Sequence, residues 1–463
     1  AMKMWSGRFQ QGLNPGFERW QRSFEFDCRL LKYELQASAA HAQALKNAGI
    51  LSADELISIL EGLQQIGAMN RPQDDEAEDV HHFVEKQLVA RIGDLGYKLH
   101  SGRSRNEQIA TDLRLFVRSA IDQIRADLAE VCASFVDRAE QAGSAAMPAY
   151  THLQHAEPVL VAHWLLAYLE MFLRDGERLA DCRKRVNVSP LGSGAVAGAT
   201  LPVDRTFMAS ELEFDAQSAN SIDATSDRDF ALEFVNALSL LGLHLSRWAE
   251  EMIIFSSQEF AFVQLPEAYS TGSSAMPQKK NPDLLELVRG KTGRIIGSAT
   301  ALMITLKGLP LAYNKDLQET QQPLFDAADA VIGMLPLIAG FMKQVEFDFE
   351  RMTEATGSGF MNSWAAATYL VSRGIPSRLA HELIGKAVKL CLEKNCELQD
   401  LALNDLHSLN PAFNEDFYEC LKPASVLAIH DVPGGTAPAR VRHGLAAAKK
   451  KVEALREEVH AHA

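Results

Sequence analysis

The chain has 463 residues, of which 47% are hydrophobic and 23% are charged, and it carries a formal net charge of -14. This is the composition of a large globular protein, so it excludes disordered, collagen-like and disulfide-stabilised mini-protein classes. The acidic excess also argues against binding to nucleic acid or to an anionic membrane, although a local pocket of arginine and lysine can still hold a small anion.

No signal for a membrane or for export is found in the sequence. The longest uncharged apolar stretches, at 295–306 and 330–342, are shorter than the roughly 18 residues that a spanning helix needs. The N-terminal residues lack the apolar core of a secretory signal. Six cysteines occur without a CxxC pair or a zinc-ligand spacing. They predict reduced thiols in a cytoplasmic protein that holds no metal.

Apolar residues recur at three- and four-residue steps along many segments, which is the period of a helix. Shorter helices are predicted near the N-terminus at 30–48, 53–66 and 78–95. Long helices are predicted at 107–142, 159–186, 228–265, 284–306 and 331–349, with a bend at Pro336 in the last. Moderate helices follow at 362–373, 377–394 and 438–460. No alternating pattern predicts a strand.

Helices of this length pack side by side, so the expected fold class is all-α with an elongated central bundle. Glycines and a change in helix length place boundaries near residues 106 and 360. The predicted domains are an N-terminal helical domain at 1–106, a central bundle at 107–360 and a C-terminal helical domain at 361–463.

Two polar loops just before long helices are candidate sites, because loops on rigid scaffolds often carry function. The first, residues 101–106, brings Arg105 and Asn106 to a helix N-terminus, where a carboxylate can bind. Solvated capping charges are the alternative there. The second, residues 150–158, contains Thr151 and His152, and imidazole serves as an acid or base near neutral pH. A purely structural histidine is the alternative.

A third loop, residues 270–282, lies between two long helices and is rich in hydroxyl, amide and lysine groups. Consecutive backbone N–H groups together with Lys279 and Asn281 can stabilise an oxyanion beside Ser273. A flexible linker is the alternative.

Two further patterns predict no site of their own. Residues 192–198 imitate a dinucleotide-binding fingerprint, but they follow a charged helix and a short turn, so no βαβ unit surrounds them. His81 and His82 suggest metal ligands, but adjacent side chains on a helix point about 100° apart, which is poor geometry for a shared metal.

The third loop resembles the signature Gly-Ser-Ser-x-Met-Pro-x-Lys-x-Asn-Pro of the aspartase/fumarase superfamily. Its Gln278-Lys279-Lys280 variant resembles the argininosuccinate lyase family in particular. Further segments that fit this family, in the same order along the chain, are 5–9, 102–106, 150–154, 226–229 and 311–319. The resemblance therefore extends over nearly the whole chain.

The resemblance implies an all-helical subunit of three domains that forms a homotetramer around a twenty-helix core. It also implies active sites that are each built by three subunits. The implied reaction is the reversible β-elimination of argininosuccinate to L-arginine and fumarate, in arginine biosynthesis, with neither a metal nor an organic cofactor.

By the same resemblance Ser273 is the base, and Lys279 stabilises its alkoxide. His152, polarised by Glu286, is the acid that protonates the leaving guanidino nitrogen. The positions that match substrate contacts are Ser23, Arg105, Asn106, Thr151, Arg228, Asn281, Tyr313 and Gln318, and those expected at the pocket edge are Asp79 and His81.

The chain departs from the family pattern at a few positions. Thr320 and Gln321 stand where the family usually has Asp-Lys, so a lysine expected near the arginine end of the substrate is a neutral amide. Glu157 stands where glutamine is usual. One alternative function is another fumarate-releasing lyase such as adenylosuccinate lyase, which usually has histidine at the position of Gln278. The other is a non-catalytic helical protein like the lens crystallins of this fold, against which the retained Ser273 argues.

Overall fold

A computed structural model of the chain describes residues 11–69, 72–74 and 76–460. Residues 5–9, one segment of the family resemblance, lie outside the described part. The described helices are, in chain order, α1 (Pro15–Trp20), α2 (Phe24–Asp27), α3 (Leu31–Asn47), α4 (Ala53–Gly67), α5 (Val80–Ile92), α6 (Arg105–Ala142), α7 (Val161–Val186), α8 (Arg205–Glu211), α9 (Ser221–Ser226), α10 (Asp229–Ser256), α11 (Asp283–Leu306), α12 (Gln321–Gln344), α13 (Phe349–Ala355), α14 (Ser363–Ser372), α15 (Ser377–Lys394), α16 (Leu403–Leu409), α17 (Phe417–Cys420), α18 (Pro423–Ala428) and α19 (Pro438–His460).

The predicted predominance of helix is confirmed, and several helices match their predicted bounds closely. Two long helices differ from the sequence expectation. α10 ends at Ser256, before the predicted 265, because Ala261 adopts a left-handed φ of 51° and Phe262 N–H closes the turn on the carbonyl of Phe255. α12 begins ten residues before the predicted 331, since Pro323 lies in its first turn, where no backbone N–H is needed.

The prediction that the chain has no strands is wrong. Eight short strands form four two-stranded sheets, namely β1 (Ala146–Thr151) with β2 (Gln154–Leu160), β3 (Val188–Ser189) with β4 (Ala216–Gln217), β5 (Val263–Gln264) with β8 (Glu346–Phe347), and β6 (Thr271–Gly272) with β7 (Lys280–Asn281). The β3–β4 pair is parallel and the other three are antiparallel. Most of these strands have only two residues, too few for an alternating pattern to be detected in a sequence.

The chain forms two compact units. The first comprises the described residues up to Ile124 together with Glu177–Leu241 and Lys291–Ile332. Part of its core lies among α3, α4 and α5, where Ile59, Phe83 and Leu88 are completely buried. Burial of such side chains stabilises a fold by about 1.5–3 kcal/mol each, so this core holds the polar residues of α5 in place.

The second unit comprises Arg125–Gly176, Gly242–Gly290 and the described residues from Gly333 onward. One of its cores lies among α14, α15 and α17, and includes the fully buried Leu370 and Phe417. Both hairpins with catalytic candidates, β1–β2 and β6–β7, belong to this unit.

One helical stretch of the described chain, Lys315–Gln344, is long and apolar enough to cross a membrane. Its most apolar window has a mean hydropathy of 1.7, and 61% of that window is buried inside the protein. Its longest uncharged apolar run, residues 330–342, is shorter than the roughly 18 residues that a spanning helix needs. Since burial within the fold accounts for this hydropathy, the stretch has the pattern of a core helix.

Candidate active site

The loop between β6 and β7 holds Ser273 in a specific hydrogen-bonding arrangement. The two antiparallel strands pair Thr271 with Asn281, so the signature sequence forms a hairpin. Ser273 Oγ accepts a hydrogen bond from the backbone N–H of Ala275 at 3.3 Å and from that of Met276 at 3.1 Å. Donors to an oxygen favour its ionised form. The loop therefore makes this hydroxyl easier to deprotonate than a free serine.

The other polar groups of this loop lie at its base and along its exposed edge. Asn281 Nδ2 donates to Thr271 Oγ1 at 3.3 Å, and Thr271 Oγ1 donates to Asp283 Oδ2 at 2.5 Å. Lys279 and Glu286 are exposed, and Glu286 lies in the first turn of α11. No described hydrogen bond or ion pair links either of them to Ser273. Both side chains are thus open to contact with a ligand.

The tip of the β1–β2 hairpin carries Thr151 and His152 in an unusual backbone conformation. Thr151 pairs with Gln154, which leaves His152 and Leu153 as a two-residue turn, each with a φ of 57°. Such turns normally use Asn or Gly, because the left-handed region costs other residues about 1 kcal/mol or more. All these residues are exposed. A histidine held in this conformation is typical of a functional site.

Contacts at the base of the hairpin fix its orientation within the second unit. Leu160 N–H donates to Thr436 Oγ1 at 2.9 Å. Glu157 Oε1 lies 3.3 Å from His430 Nε2, and burial raises the pKa of Glu157 while His430 opposes this rise. Glu157, which departs from the family pattern, thus brings its carboxylate close to the loop after α18. No described contact joins His152 to Glu286 or to Ser273.

The first unit contains a buried cation that lacks a counter-ion. Arg228 is 1% exposed, and its Nη1 donates to the carbonyl of Asp227 at 2.7 Å. The Asp227 carboxylate itself pairs with Arg114. Nε and Nη2 of Arg228 have no hydrogen-bond partner, and burial lowers the pKa of this residue to about 10. Because buried donors are nearly always paired, these nitrogens predict a bound anion.

An ion pair between Asp79 and Arg105 lies near this cation. Asp79 also caps α5 by accepting the His82 N–H at 2.8 Å. Burial disfavours its ionised form and is the largest single effect, but Arg105 together with the other neighbouring charges and hydrogen bonds keeps the pKa of Asp79 below its ordinary value. Burial raises the pKa of Tyr313, which interacts electrostatically with Arg228, Asp79 and Arg105. Two arginines and a phenol are thus brought together in one neighbourhood.

Ser23 and Gln318 join the same neighbourhood through backbone contacts. Ser23 N–H donates to the carbonyl of Glu78 at 2.9 Å, and its hydroxyl donates to Asp27 Oδ2 at 2.6 Å. Gln318 Nε2 donates to the carbonyl of Gln21 at 3.0 Å. Burial and the nearby Asp79 raise the pKa of Asp27 to about 6. The predicted substrate-contacting positions of the first unit therefore lie close together.

Residues 192–198, set aside in the sequence analysis, support this site. Asn106 Nδ2 donates to the carbonyl of Ala195 at 3.2 Å, and the Glu107 carboxylate accepts the N–H groups of Ser104 and Gly192. Gly192 has a φ of 90°, a conformation that favours glycine. The glycines thus allow the backbone conformation that places the Ala195 carbonyl beside Asn106. Sequence reasoning missed this role, and the dense glycine spacing was its only signal.

Gln321, the neutral replacement for a family lysine, is the first residue of α12. Its side chain is 2% exposed, and its Oε1 has no hydrogen-bond partner. A buried amide oxygen without a donor costs about 1–3 kcal/mol. This position is therefore not fully satisfied in the unliganded protein.

Among the described residues, one group has ligand atoms close enough together to hold a metal ion. It consists of Glu34, His81 and Asp112, whose ligand atoms lie within 4.8 Å of one another. His81 Nδ1 lies 2.9 Å from Glu34 and 3.7 Å from Asp112. Arg103 Nη2 already lies 3.8 Å from Glu34. Burial, followed by the Glu34 charge, raises the pKa of Asp112 well above its ordinary value. The Arg103 guanidinium therefore lies where it can balance the negative charge of Glu34.

Comparison with known proteins gives full-length matches. The lyase family matches residues 7–297, and the argininosuccinate lyase C-terminal family matches residues 360–428. The chain is 60% identical to the argininosuccinate lyase of Koribacter versatilis over 461 residues, or 99% of each chain. It is 58% identical to that of Acidobacterium capsulatum over 460 residues, which cover 97% of this chain and 95% of the relative.

Solved structures show the same fold. EDDS lyase in complex with formate matches with a TM-score of 0.85 at 24% identity, over 97% of this chain and 92% of that one. The recombinant class II fumarase from Schistosoma mansoni matches with a TM-score of 0.75 at 16% identity, over 85% and 90%. At these identities the likeness establishes the helical fold alone.

Proposed function

The chain belongs to the argininosuccinate lyase family. We propose how its side chains carry out the reversible β-elimination of argininosuccinate to L-arginine and fumarate. In this carbon–nitrogen lyase reaction a base removes a proton from the carbon beside a carboxylate. The bond between the neighbouring carbon and a guanidino nitrogen then breaks. The enzyme must supply a strong base, an acid for the leaving nitrogen and cations for the carboxylates.

We assign the base to Ser273, and the observation that carries this proposal is the pair of backbone N–H groups at its Oγ. A serine hydroxyl is far too weakly acidic to lose its proton unaided. Two preorganised donors stabilise the alkoxide and act without reorganisation during the reaction. Lys279 adds positive charge, and Asn281 holds the carboxylates on the fumarate side.

His152 supplies the proton for the leaving guanidino nitrogen in this proposal, and Glu286 polarises it. Its place in a strained two-residue turn supports the assignment, because such strain persists where function requires a fixed geometry. Thr151 precedes it on the same hairpin and binds substrate. Both are exposed, so neither needs rearrangement to meet a ligand.

Arg228 receives a substrate carboxylate in this proposal, because a buried guanidinium with unpaired nitrogens is complementary to one. The neighbouring groups that complete the binding surface are Ser23, Arg105, Asn106, Tyr313 and Gln318. We propose that no metal or organic cofactor takes part. Dialysis against EDTA should therefore leave the rate of fumarate release unchanged, and a loss restored by added metal would contradict this.

We further propose a cytoplasmic homotetramer with a twenty-helix core, and subunits with domains at 1–106, 107–360 and 361–463. All six cysteines are free, in keeping with a reducing compartment. Large apolar side chains are exposed on the long helices, and large exposed apolar surfaces are typical of interfaces. They are Leu240 and Leu243 on α10, Leu287, Ile296, Met303 and Ile304 on α11, and Leu337 on α12.

Light scattering tests this assembly and should give a mass about four times the 51.0 kDa of one chain. Active sites shared by three subunits are tested by mixing two inactive variants, Ser273→Ala and His152→Ala, under conditions that exchange subunits. If the sites are shared, the mixture should regain part of the activity. Some sites in the mixed oligomers then contain the native residue at both mutated positions. A mixture as inactive as its components would contradict shared sites.

The function itself is tested by fumarate formation from purified protein, with argininosuccinate and adenylosuccinate supplied in parallel. Turnover of argininosuccinate alone is expected. Turnover of adenylosuccinate instead would favour the other lyase, and turnover of neither by an intact tetramer would favour a non-catalytic protein.

A further inference from the structure

A cavity of about 550 Å³ lies beside the β1–β2 hairpin, within the second unit. Its volume is in the range of small-ligand pockets. The lining comprises four ring-bearing side chains, two carboxylates, one guanidinium and one alanine, namely Tyr150, His155, Phe260, Phe262, Glu259, Glu354, Arg351 and Ala355. No residue assigned to catalysis or to substrate binding is among them.

The rings form a packed aromatic wall. The ring centroids of Tyr150 and Phe260 are 5.7 Å apart, and those of Tyr150 and His155 are 5.4 Å apart. Gly359 packs so closely on this wall that a Cβ there would lie 2.6 Å from His155 Nδ1. Aromatic faces attract guanidinium groups, which stack on them while keeping their hydrogen bonds.

The charged groups of the cavity are available to a ligand. Glu259 and Glu354 are exposed, and neither forms an ion pair with any described residue. The guanidinium of Arg351 is oriented by donating from Nε to the carbonyl of Phe260 at 2.6 Å and from Nη2 to that of Glu259 at 3.2 Å. Its Nη1 keeps both N–H groups for another acceptor.

We propose that this cavity is a second binding site for free L-arginine, separate from the active site. Two carboxylates meet the guanidinium and the α-ammonium, Arg351 meets the α-carboxylate, and the aromatic wall stacks on the guanidinium. Because the hairpin that lines the cavity also carries His152, arginine bound there slows turnover. This effect rests on the proposed function, whereas the binding itself does not.

Calorimetric titration of L-arginine into the full-length Ser273→Ala variant, with its active sites saturated by argininosuccinate, tests the binding. One arginine per subunit should bind. L-Citrulline, of the same shape but with a neutral ureido group, should bind at least about tenfold more weakly, as expected for loss of a charge-assisted contact. No binding of arginine, or equal binding of citrulline, would overturn the proposal. Fumarate release in the same cell would reveal separately whether Ser273→Ala had failed to stop turnover.

Two exposed glutamates of α13 provide a matched pair of variants. Glu354→Gln should weaken arginine binding at least about tenfold, and should remove a non-competitive component of arginine inhibition from the otherwise active enzyme. Glu350→Gln, on the same helix but outside the cavity, should change neither. Purely competitive inhibition in the unmodified enzyme, or equal effects of both variants, would overturn the proposal.

Discussion

Asp79 uses its two carboxylate oxygens for different partners: Oδ1 accepts the His82 N–H that starts α5, and Oδ2 accepts from the Arg105 guanidinium. The side chains of Asp79 and Arg105 are only 10% and 18% exposed. One carboxylate therefore links a helix N-terminus to a proposed substrate-binding arginine.

Asp79→Asn separates these two roles, because asparagine caps a helix as well as aspartate does but cannot pair with a guanidinium charge. We expect kcat/KM for argininosuccinate to fall at least tenfold, since loss of one partner of a buried ion pair displaces the other. Asp54→Asn, at an exposed aspartate in the first turn of α4, should keep the original kcat/KM. Equal values for both variants would show that Arg105 does not depend on Asp79.

Arg228→Gln should weaken substrate binding without weakening the fold. We expect KM to rise at least tenfold, because a carboxylate loses its buried cation. The free energy of unfolding of the unliganded protein should stay the same or rise, since Arg228 has no counter-ion. Arg114→Gln is the control, and it should lower that free energy because Arg114 pairs with Asp227. A destabilised Arg228→Gln with unchanged KM would indicate a structural role instead.

Gln321→Lys restores the residue that the resemblance predicts. If the lysine contacts the substrate equally in the ground state and in the transition state, KM should fall with little change in kcat. The expected fall is one to two orders of magnitude, because one charge-assisted contact contributes roughly 1.5–3 kcal/mol. Gln322→Lys, at the exposed neighbouring residue, adds the same charge and should leave KM unchanged. An unchanged KM in Gln321→Lys would mean that another residue has replaced this contact or that none exists.

The raised pKa of Asp27 makes stability depend on pH. Its pKa is about 6 in the fold against 3.8 for the free side chain, so the unfolded chain loses this proton first. Stability from this group is fully present below pH 3.8 and is lost as pH rises through 6. Relative to the unmodified protein, Asp27→Asn should gain about 3 kcal/mol of unfolding free energy between pH 3.5 and 7. A pH-independent difference in urea unfolding would contradict this.

Helices were the part of the fold that periodicity could predict, because a long apolar stripe at three- and four-residue steps can be read directly from the sequence. The predicted helix at 107–142 matches α6, which ends at Ala142 as predicted and begins two residues earlier, at Arg105. The β1–β2 hairpin escaped prediction, since Pro148 and the His152–Leu153 turn carry none of the usual strand or turn signals. Its strands depend on tertiary contacts such as that of Leu160 with Thr436.

The candidate site shows the same division between local and tertiary information. The family resemblance identified Ser273 and Arg228 as candidate site residues. It could not show that Arg228 is buried without a counter-ion, because that depends on Asp227 pairing with Arg114. Nor could it show that the glycine loop holds Asn106, since that contact joins residues 89 positions apart.

Ser273 is the base in the proposed reaction, and we would test this by measuring fumarate release from two neighbouring variants. Ser273→Ala removes the oxygen that accepts both backbone N–H groups, and should lower kcat at least a hundredfold, the scale of acid–base catalysis, while the mass measured by light scattering stays unchanged. Ser274→Ala removes an adjacent hydroxyl and should keep kcat within a few fold. Near-normal turnover by Ser273→Ala would show that Ser273 is not the base.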